Sequence, residues 1–229
     1  MKRFFLICLA AVICNTAAAQ GQELTFELDA FSTLRVAGNL SVEIKPQQLG
    51  KGPSMTVRLN GNDAKSFVWS NRSDRLAVKM NYPVKGDKAV LTVYCDGITT
   101  IIADGADVIA SSDAYSKMLD VIVKGGSNLN ADIDCKDLKV KVTGESVAIL
   151  SGKSAYAAAE VRGKSVLDTR KLEAKSMEVN ARTKSETYVF SSERMIIDAA
   201  QNSKIFYKGA PDVLRCKTAA GAAVNSIGR

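Results

Sequence analysis

Apolar and variable positions alternate through most of the chain, and from Val121 onward the alternation is punctuated at a nearly fixed interval. Val121-Ile-Val-Lys-Gly-Gly-Ser127 is followed by Val140-Lys-Val-Thr-Gly-Glu-Ser146, then by Ala159-Glu-Val-Arg-Gly-Lys-Ser165. Val179-Asn-Ala-Arg-Thr-Lys-Ser185 and Ile197-Asp-Ala-Ala-Gln-Asn-Ser203 continue the series. Each unit reads apolar, variable, apolar, variable, turn residue, variable, Ser, and the serines are 19, 19, 20 and 18 residues apart. The pattern extends upstream through Ile101-Ile-Ala-Asp-Gly-Ala-Asp107, with Asp107 in the serine place. Downstream, Gly221-Ala-Ala223 fits the glycine and serine places if the preceding strand Leu214–Thr218 carries one extra residue. Seven units result, from about Ile101 to Ile227.

Within a unit the period is two. Successive side chains on a strand point to opposite faces, so Val121, Val123, Leu129, Ala131 and Ile133 line one side. Ile122, Lys124, Asn128, Asn130, Asp132 and Asp134 line the other. About 19 residues hold two or three short strands and tight turns but no crossover helix. The pattern therefore predicts an all-β fold, a parallel β-helix-like solenoid with coils of roughly 18–20 residues in which like positions pair with like. Seven coils rising about 4.8 Å each make a rod of roughly 30 Å. Gly105, Gly125, Gly144 and Gly163 suit a corner needing positive φ, and the following Ser bonds local backbone there as a corner residue, not a nucleophile. The Ala-rich stretch 153–162 belongs to the repeat and is not a helix.

The first third is less regular. Runs at 34–36, 40–44, 55–59, 67–69, 76–80 and 90–95 read as strands. Gly52-Pro53, Asn60-Gly61-Asn62, 71–74 and Gly86-Asp87 mark turns, and Asn60-Gly61 is a hairpin candidate. This part supplies either the first, longer coils or a β cap over the open end, where a bare coil edge invites pairing with another chain.

Lys2-Arg3, an apolar run from Phe4 to Ile13 and Ala17-Ala18-Ala19 have the layout of a secretory signal. The run is about ten residues, half of what a membrane-spanning helix needs, and no later segment is apolar enough to span. The organisation expected is a signal peptide at 1–19 and a single β-solenoid domain at 20–229, with irregular coils or a cap at 20–98 and regular repeats at 99–229. Ile13 before Cys14 departs from a lipobox, so a soluble exported protein is expected, in the periplasm, at the cell surface or secreted. Once Lys2 and Arg3 leave, 29 basic side chains face 24 acidic ones, a net of +5. The charges are interspersed, which fits a solvated surface rather than a nucleic-acid tract. Cys8 and Cys14 leave with the signal. The odd set Cys95, Cys135 and Cys216 then reads as buried thiols, with one disulfide and a free thiol as the other arrangement.

The run of apolar strands closed by Gly-x-Ser resembles the bacterial adhesin family known as the head GIN domain, a domain of unknown function. Ser203-Lys-Ile-Phe-Tyr-Lys-Gly-Ala-Pro211 is similar to the family's closing motif, Thr218-Ala-Ala-Gly221 with Val224 and Ile227-Gly228 to its terminal coil, and Phe31–Gly38 with Val42-Glu-Ile44 to its first strands. The resemblance implies a parallel β-helix-like fold at the envelope or cell surface. No C-terminal membrane barrel follows, so self-export as an autotransporter is not expected. Thr183 and Gln201 replace the corner glycine in two units and put the turn geometry there in question.

There is no histidine, which removes Ser-His-Asp and Cys-His catalytic sets and histidine-based zinc sites. Gly125-Gly126 lacks the lysine and helix of a phosphate loop. The one enzymatic constellation to weigh is a carbohydrate-active hydrolase or lyase: Asp132 and Asp134 on one outward face, joined by Glu145, with Lys139, Lys141, Arg162 and Lys164 as basic partners. Asp104-Gly105-Ala-Asp107 is too little for calcium. Aromatics such as Trp69, Tyr82, Tyr94, Tyr115, Tyr156, Tyr188, Phe190, Phe206 and Tyr207 do not recur at one repeat position and single out no site. The expectation is a non-enzymatic protein without catalytic residues, cofactor or metal. It would bind a surface glycan or envelope protein through a side face. A self-assembling structural protein, forming homo-oligomers through the solenoid ends, is the other non-catalytic reading.

Overall fold

The computed structural model describes residues 22–59, 65–81, 89–111 and 115–228. The segment read as a secretory signal, the Asn60-Gly61 hairpin candidate, Tyr82 and Gly86-Asp87 lie outside them.

The N-terminal part holds β1 (Gln22–Glu27), β2 (Thr33–Ala37), β3 (Leu40–Lys45), β4 (Ser54–Leu59), β5 (Phe67–Arg72), β6 (Arg75–Met80) and β7 (Ala89–Tyr94). The repeat follows as β8 (Ile98–Asp104), β9 (Asp107–Ala110), β10 (Tyr115–Lys124), β11 (Asn128–Val142), β12 (Val147–Arg162) and β13 (Val166–Arg182). It closes with β14 (Glu186–Phe190), β15 (Arg194–Ala199), β16 (Lys204–Lys208), β17 (Val213–Thr218) and β18 (Ala223–Ser226).

From β8 on, every pairing between successive coils is parallel. Val121 sits beside Val140, Val140 beside Ala159, Ala159 beside Val179, and Ile197 and Cys216 continue the row. The molecule is a β-solenoid of about seven turns. The long strands β11, β12 and β13 each serve two coils, because they bend without breaking the ladder. In β11 the buried set runs Leu129, Ala131, Ile133, Cys135 and then Leu138, Val140, Val142. The alternation slips by one residue at Lys136 and Asp137, and that slip is the corner. Strip I of the wound sheet runs β5-β6-β2-β8-β10 and on through the C-terminal halves of β11 to β13 to β15 and β17. Strip II runs β1-β4-β7-β3-β9 and on through the N-terminal halves to β14, β16 and β18. Their inward side chains form one core from Phe31 to Ile205.

The second corner is the serine ladder. Ser127, Ser146, Ser165, Ser185 and Ser203 are all buried, and each carbonyl accepts from the amide that follows the corresponding corner residue of the next coil, as in Val147 N–H to Ser127 O at 2.9 Å. Two consecutive residues of left-handed φ precede each serine, as at Gly144 (+70°) and Glu145 (+61°). Thr183 (+57°) and Gln201 (+58°) hold the same conformation without glycine, so the turn geometry is kept. Their side chains bond each other, Thr183 Oγ1 to Gln201 Oε1, at 2.8 Å, which offsets part of the steric cost of an L-residue in this region.

Register corrects both ends of the repeat. Asp107 pairs with Asn128, so Ala106, not Asp107, holds the serine place. The turn there has one left-handed residue, Gly105, and is one residue shorter. Lys204 pairs with Ala223, so the serine place belongs to Ala222, not Ala223. Strand β17 then needs no extra residue: Ala220 and Gly221 are the two left-handed positions, and Gly221 fills the second. The 20-residue spacing between Ser165 and Ser185 has a local cause, a register shift between Ile149 and Ser151 of β12 that adds one residue to β13 near Arg170.

The first third is both coil and cap. Strands β2 and β3 do not end the rod. They are inserted between β6–β7 and β8–β9, with β2 paired to β6 and β8, and β3 to β7 and β9. Beyond β6 and β7 the chain turns antiparallel: β5 folds onto β6 through Ser73 and Asp74, both at positive φ, and β4 and β1 extend strip II. Phe26 of β1 and Trp69 of β5 meet with ring centroids 5.0 Å apart, joining the two capping edges. Among the described residues nothing covers the other end in this way. Leu214 and Cys216 take the register of fully buried Met195 and Ile197, yet Leu214 is 42% exposed.

Candidate functional site

The corner at Lys136 and Asp137 divides the carboxylates and amines read as an enzymatic set. Asp132 and Asp134 stand on the outside of strip II, and Asp132 accepts from Ser151 Oγ at 3.1 Å. Lys139 and Lys141 lie past the bend on strip I. Glu145 is in the serine corner, where Lys164 pairs with it at 3.3 Å. Arg162 (2.7 Å) and Lys141 (3.2 Å) both bind Glu160. Asp132 and Asp134 therefore do not face the amines across a common cleft. Asp104 is tied to Lys124 at 3.0 Å, and among the described residues no cluster of three or more His, Cys, Asp or Glu has metal-holding geometry.

The thiols are unsuited to nucleophilic work. Cys95 and Cys135 are buried and unpaired, and burial pushes the Cys95 thiol up to about 12 and that of Cys135 upward as well. Cys216 is free and exposed, although its register faces inward, because the last coil has no neighbour beyond it. The Tyr115 hydroxyl is buried without a partner, and burial drives its pKa far up.

On the outside of strip II, the extra residue in β13 sends Arg170 back over its own strand. Its Nε reaches Asp168 at 3.0 Å, and its guanidinium lies 4.6 Å from the centroid of Tyr188, which stacks on Phe206 at 5.0 Å. Partial burial opposes ionisation of Asp168, but its bonds from the Arg170 side chain and backbone outweigh that and hold the carboxyl below its usual value. Tyr188 also donates to Glu186. This stack is internally satisfied and braces strip II.

Strip I carries a groove of about 370 Å³ across β10 to β13 that combines volume with unsatisfied groups. Parallel register builds it from two outward columns. One runs Asp120, Lys139, Ala158, Glu178; the other runs Ile122, Lys141, Glu160, Asn180. Ala158 is a methyl between longer side chains, and that gap makes the hollow. One wall is balanced by the Lys141–Glu160–Arg162 pairs. On the other, Asp120, Lys139 and Glu178 make no side-chain hydrogen bond or ion pair with described residues. Asn180 Oδ1 is buried without a partner. Tyr156, two residues before Ala158 on the same face of β12, is 56% exposed. The sequence names Lys139, Lys141 and Tyr156 but not this grouping. The signal was the run Ala157-Ala-Ala159, whose middle residue faces out.

No curated protein matches the chain. Solved structures match over nearly the whole length. An adhesin from Bacteroides fragilis aligns with a TM-score of 0.81 at 16% identity, covering 92% of this chain and 98% of that one. A second adhesin, from Parabacteroides merdae, aligns at 0.65 and 14%, covering 91% and 96%. A structure named as a lipid binding protein, from Parabacteroides distasonis, aligns at 0.63 and 14%, covering 91% and 97%. At these identities the likeness is one of fold. The family model described as "Putative auto-transporter adhesin, head GIN domain" matches residues 30–211, and the chain belongs to that family.

Proposed function

We propose that this protein is an exported, non-catalytic adhesin-like solenoid that binds a glycan or protein of the cell envelope through the outer face of strip I. The carrying observation is the groove around Ala158, a hollow lined by the unpaired Asp120, Lys139 and Glu178, with the exposed Tyr156 two residues back along β12. Membership of an adhesin family supports the binding role. The basic start, short apolar run and Ala17-Ala18-Ala19 support export, and the chain from Gln20 acts as one solenoid domain. No helix among the described residues is long and apolar enough to cross a membrane. A hydrolase or lyase would need Asp132 and Asp134 to face a partner across a substrate, and the corner turns them away from Lys139 and Lys141.

The test is co-sedimentation of the purified protein with bacterial envelope fractions, comparing the native protein with Ala158→Arg, which fills the groove, and Ile149→Arg on strip II. Loss of binding with the first alone is expected. Equal binding by all three removes strip I as the surface. The exposed apolar side chains Val213, Leu214 and Ile227 of the last described coil favour a second reading, assembly through that end. Sedimentation of a monomer at high concentration contradicts it.

A further inference from the structure

The groove has features that select among ligand chemistries. It lies in the middle of strip I, where β10, β11, β12 and β13 are paired without a gap. No backbone donor or acceptor is open there, so a peptide cannot bind by adding a strand. The floor is a single methyl, too shallow for a large apolar anchor. Asp120, Glu160 and Glu178 are matched by Lys139, Lys141 and Arg162, so the groove has no net charge with which to attract a polyanion. What remains is a ligand with a hydrophobic face and a polar rim, bound by side chains alone.

We infer that this groove is a binding site for an uncharged saccharide, with one sugar ring lying on Ala158 between Lys139 and Glu178 and an adjoining ring stacked on Tyr156. The inference rests on the proposed role of strip I and adds the ligand class. Lys139 and Glu178 flank Ala158 on neighbouring strands, about 10 Å apart at the backbone given the usual strand spacing. One pyranose ring fits between their side chains, with hydroxyls accepting from the ammonium and donating to the carboxylate. The C–H face of the ring lies against the methyl. Tyr156 offers a flat apolar surface with a polar tip one step along the strand. The volume is near the lower limit of small-molecule sites, roughly 300–1,000 Å³.

The test is a printed glycan array probed with the native protein, Tyr156→Ala, Ala158→Arg and Glu178→Gln, alongside envelope co-sedimentation of the same set. All three positions face solvent, and matched thermal midpoints verify that the variants are folded. The expected result is binding to neutral glycans that falls at least about tenfold in Tyr156→Ala, as for loss of an aromatic anchor, and is abolished in Ala158→Arg. Glycan binding indifferent to the substitutions overturns the site. An empty array with envelope binding still lost in Ala158→Arg overturns the saccharide class and leaves the proposed function standing, with a protein as the occupant. Absence of any envelope binding by the native protein overturns both.

Discussion

Replacing Ser146 by Ala tests the corner ladder as an energetic device, because its members differ in what their hydroxyls do. Ser146 Oγ donates to Thr143 O at 2.8 Å and accepts from Gly126 N–H at 3.1 Å and Ser127 N–H at 3.2 Å, and both Ser127 and Ser146 are fully buried. Gly126 N–H keeps a second acceptor in Gly144 O at 3.0 Å, but the ladder offers Ser127 N–H no replacement. The loss is one net hydrogen bond, about 1 kcal/mol, plus the cost of an orphaned buried amide, about 1–3 kcal/mol. The expected destabilisation is about 2–4 kcal/mol, a fall in midpoint of roughly 4–16 °C for a chain of this size. Ser185 is the internal control. It occupies the same corner two coils on and is equally buried, yet its hydroxyl has no partner. Ser185→Ala removes an unsatisfied polar group and should stay within about 0.5 kcal/mol of the native protein, or stabilise it. Equilibrium urea unfolding of both variants gives the comparison. Coils couple mainly to their neighbours, so the slope must be checked for a change before the free energies are compared. Equal losses from the two substitutions would refute the reasoning, because they would mean that the corner needs serine for shape and not for its bonds.

Other outcomes follow from single contacts. Gly152 has φ +100°, and a Cβ there would sit 2.1 Å from Ile133 O; Gly152→Ala should destabilise more than Gly144→Ala, whose nearest contact is 3.1 Å, as read by thermal unfolding. In protein produced from Gln20 onward, a thiol reagent should titrate one cysteine per native molecule, Cys216, and three after denaturation, because Cys95 and Cys135 are buried; more than one fast-reacting native thiol contradicts the burial. Asp168 has a depressed folded-state pKa, so its stabilising contribution is present above the unfolded value of about 3.9 and disappears as pH falls through the lower folded value. The stability difference between the native protein and Asp168→Asn should therefore shrink from pH 5 toward pH 2, and a constant difference contradicts the assignment to Arg170.

The repeat was legible because alternation and serine spacing are local signals, and the five-serine corner stands as read. The two ends slipped by one residue for a shared reason. The corner uses two left-handed positions and glycine suits either, so Gly221 was placed in the first when it fills the second. At Gly105 the turn has a single left-handed residue, which moved Asp107 out of the corner. The insertion of β2–β3 between β6–β7 and β8–β9 left no trace in the pattern, since alternation tells which face a residue takes and not which strand lies beside it. The groove was hidden for the same reason. Lys139, Ala158 and Glu178 are about 20 residues apart in sequence and become neighbours only through lateral register. The inward reading of Cys216 was correct in register and wrong in burial, because burial also needs a coil on the far side.

Hydrogen–deuterium exchange with and without a saturating envelope fraction reads the working surface directly. The account predicts added protection in peptides covering 118–122, 137–141, 156–160 and 176–180 of strip I, with strip II unchanged. Protection confined to strip II, or to the C-terminal strands β17 and β18, would contradict it.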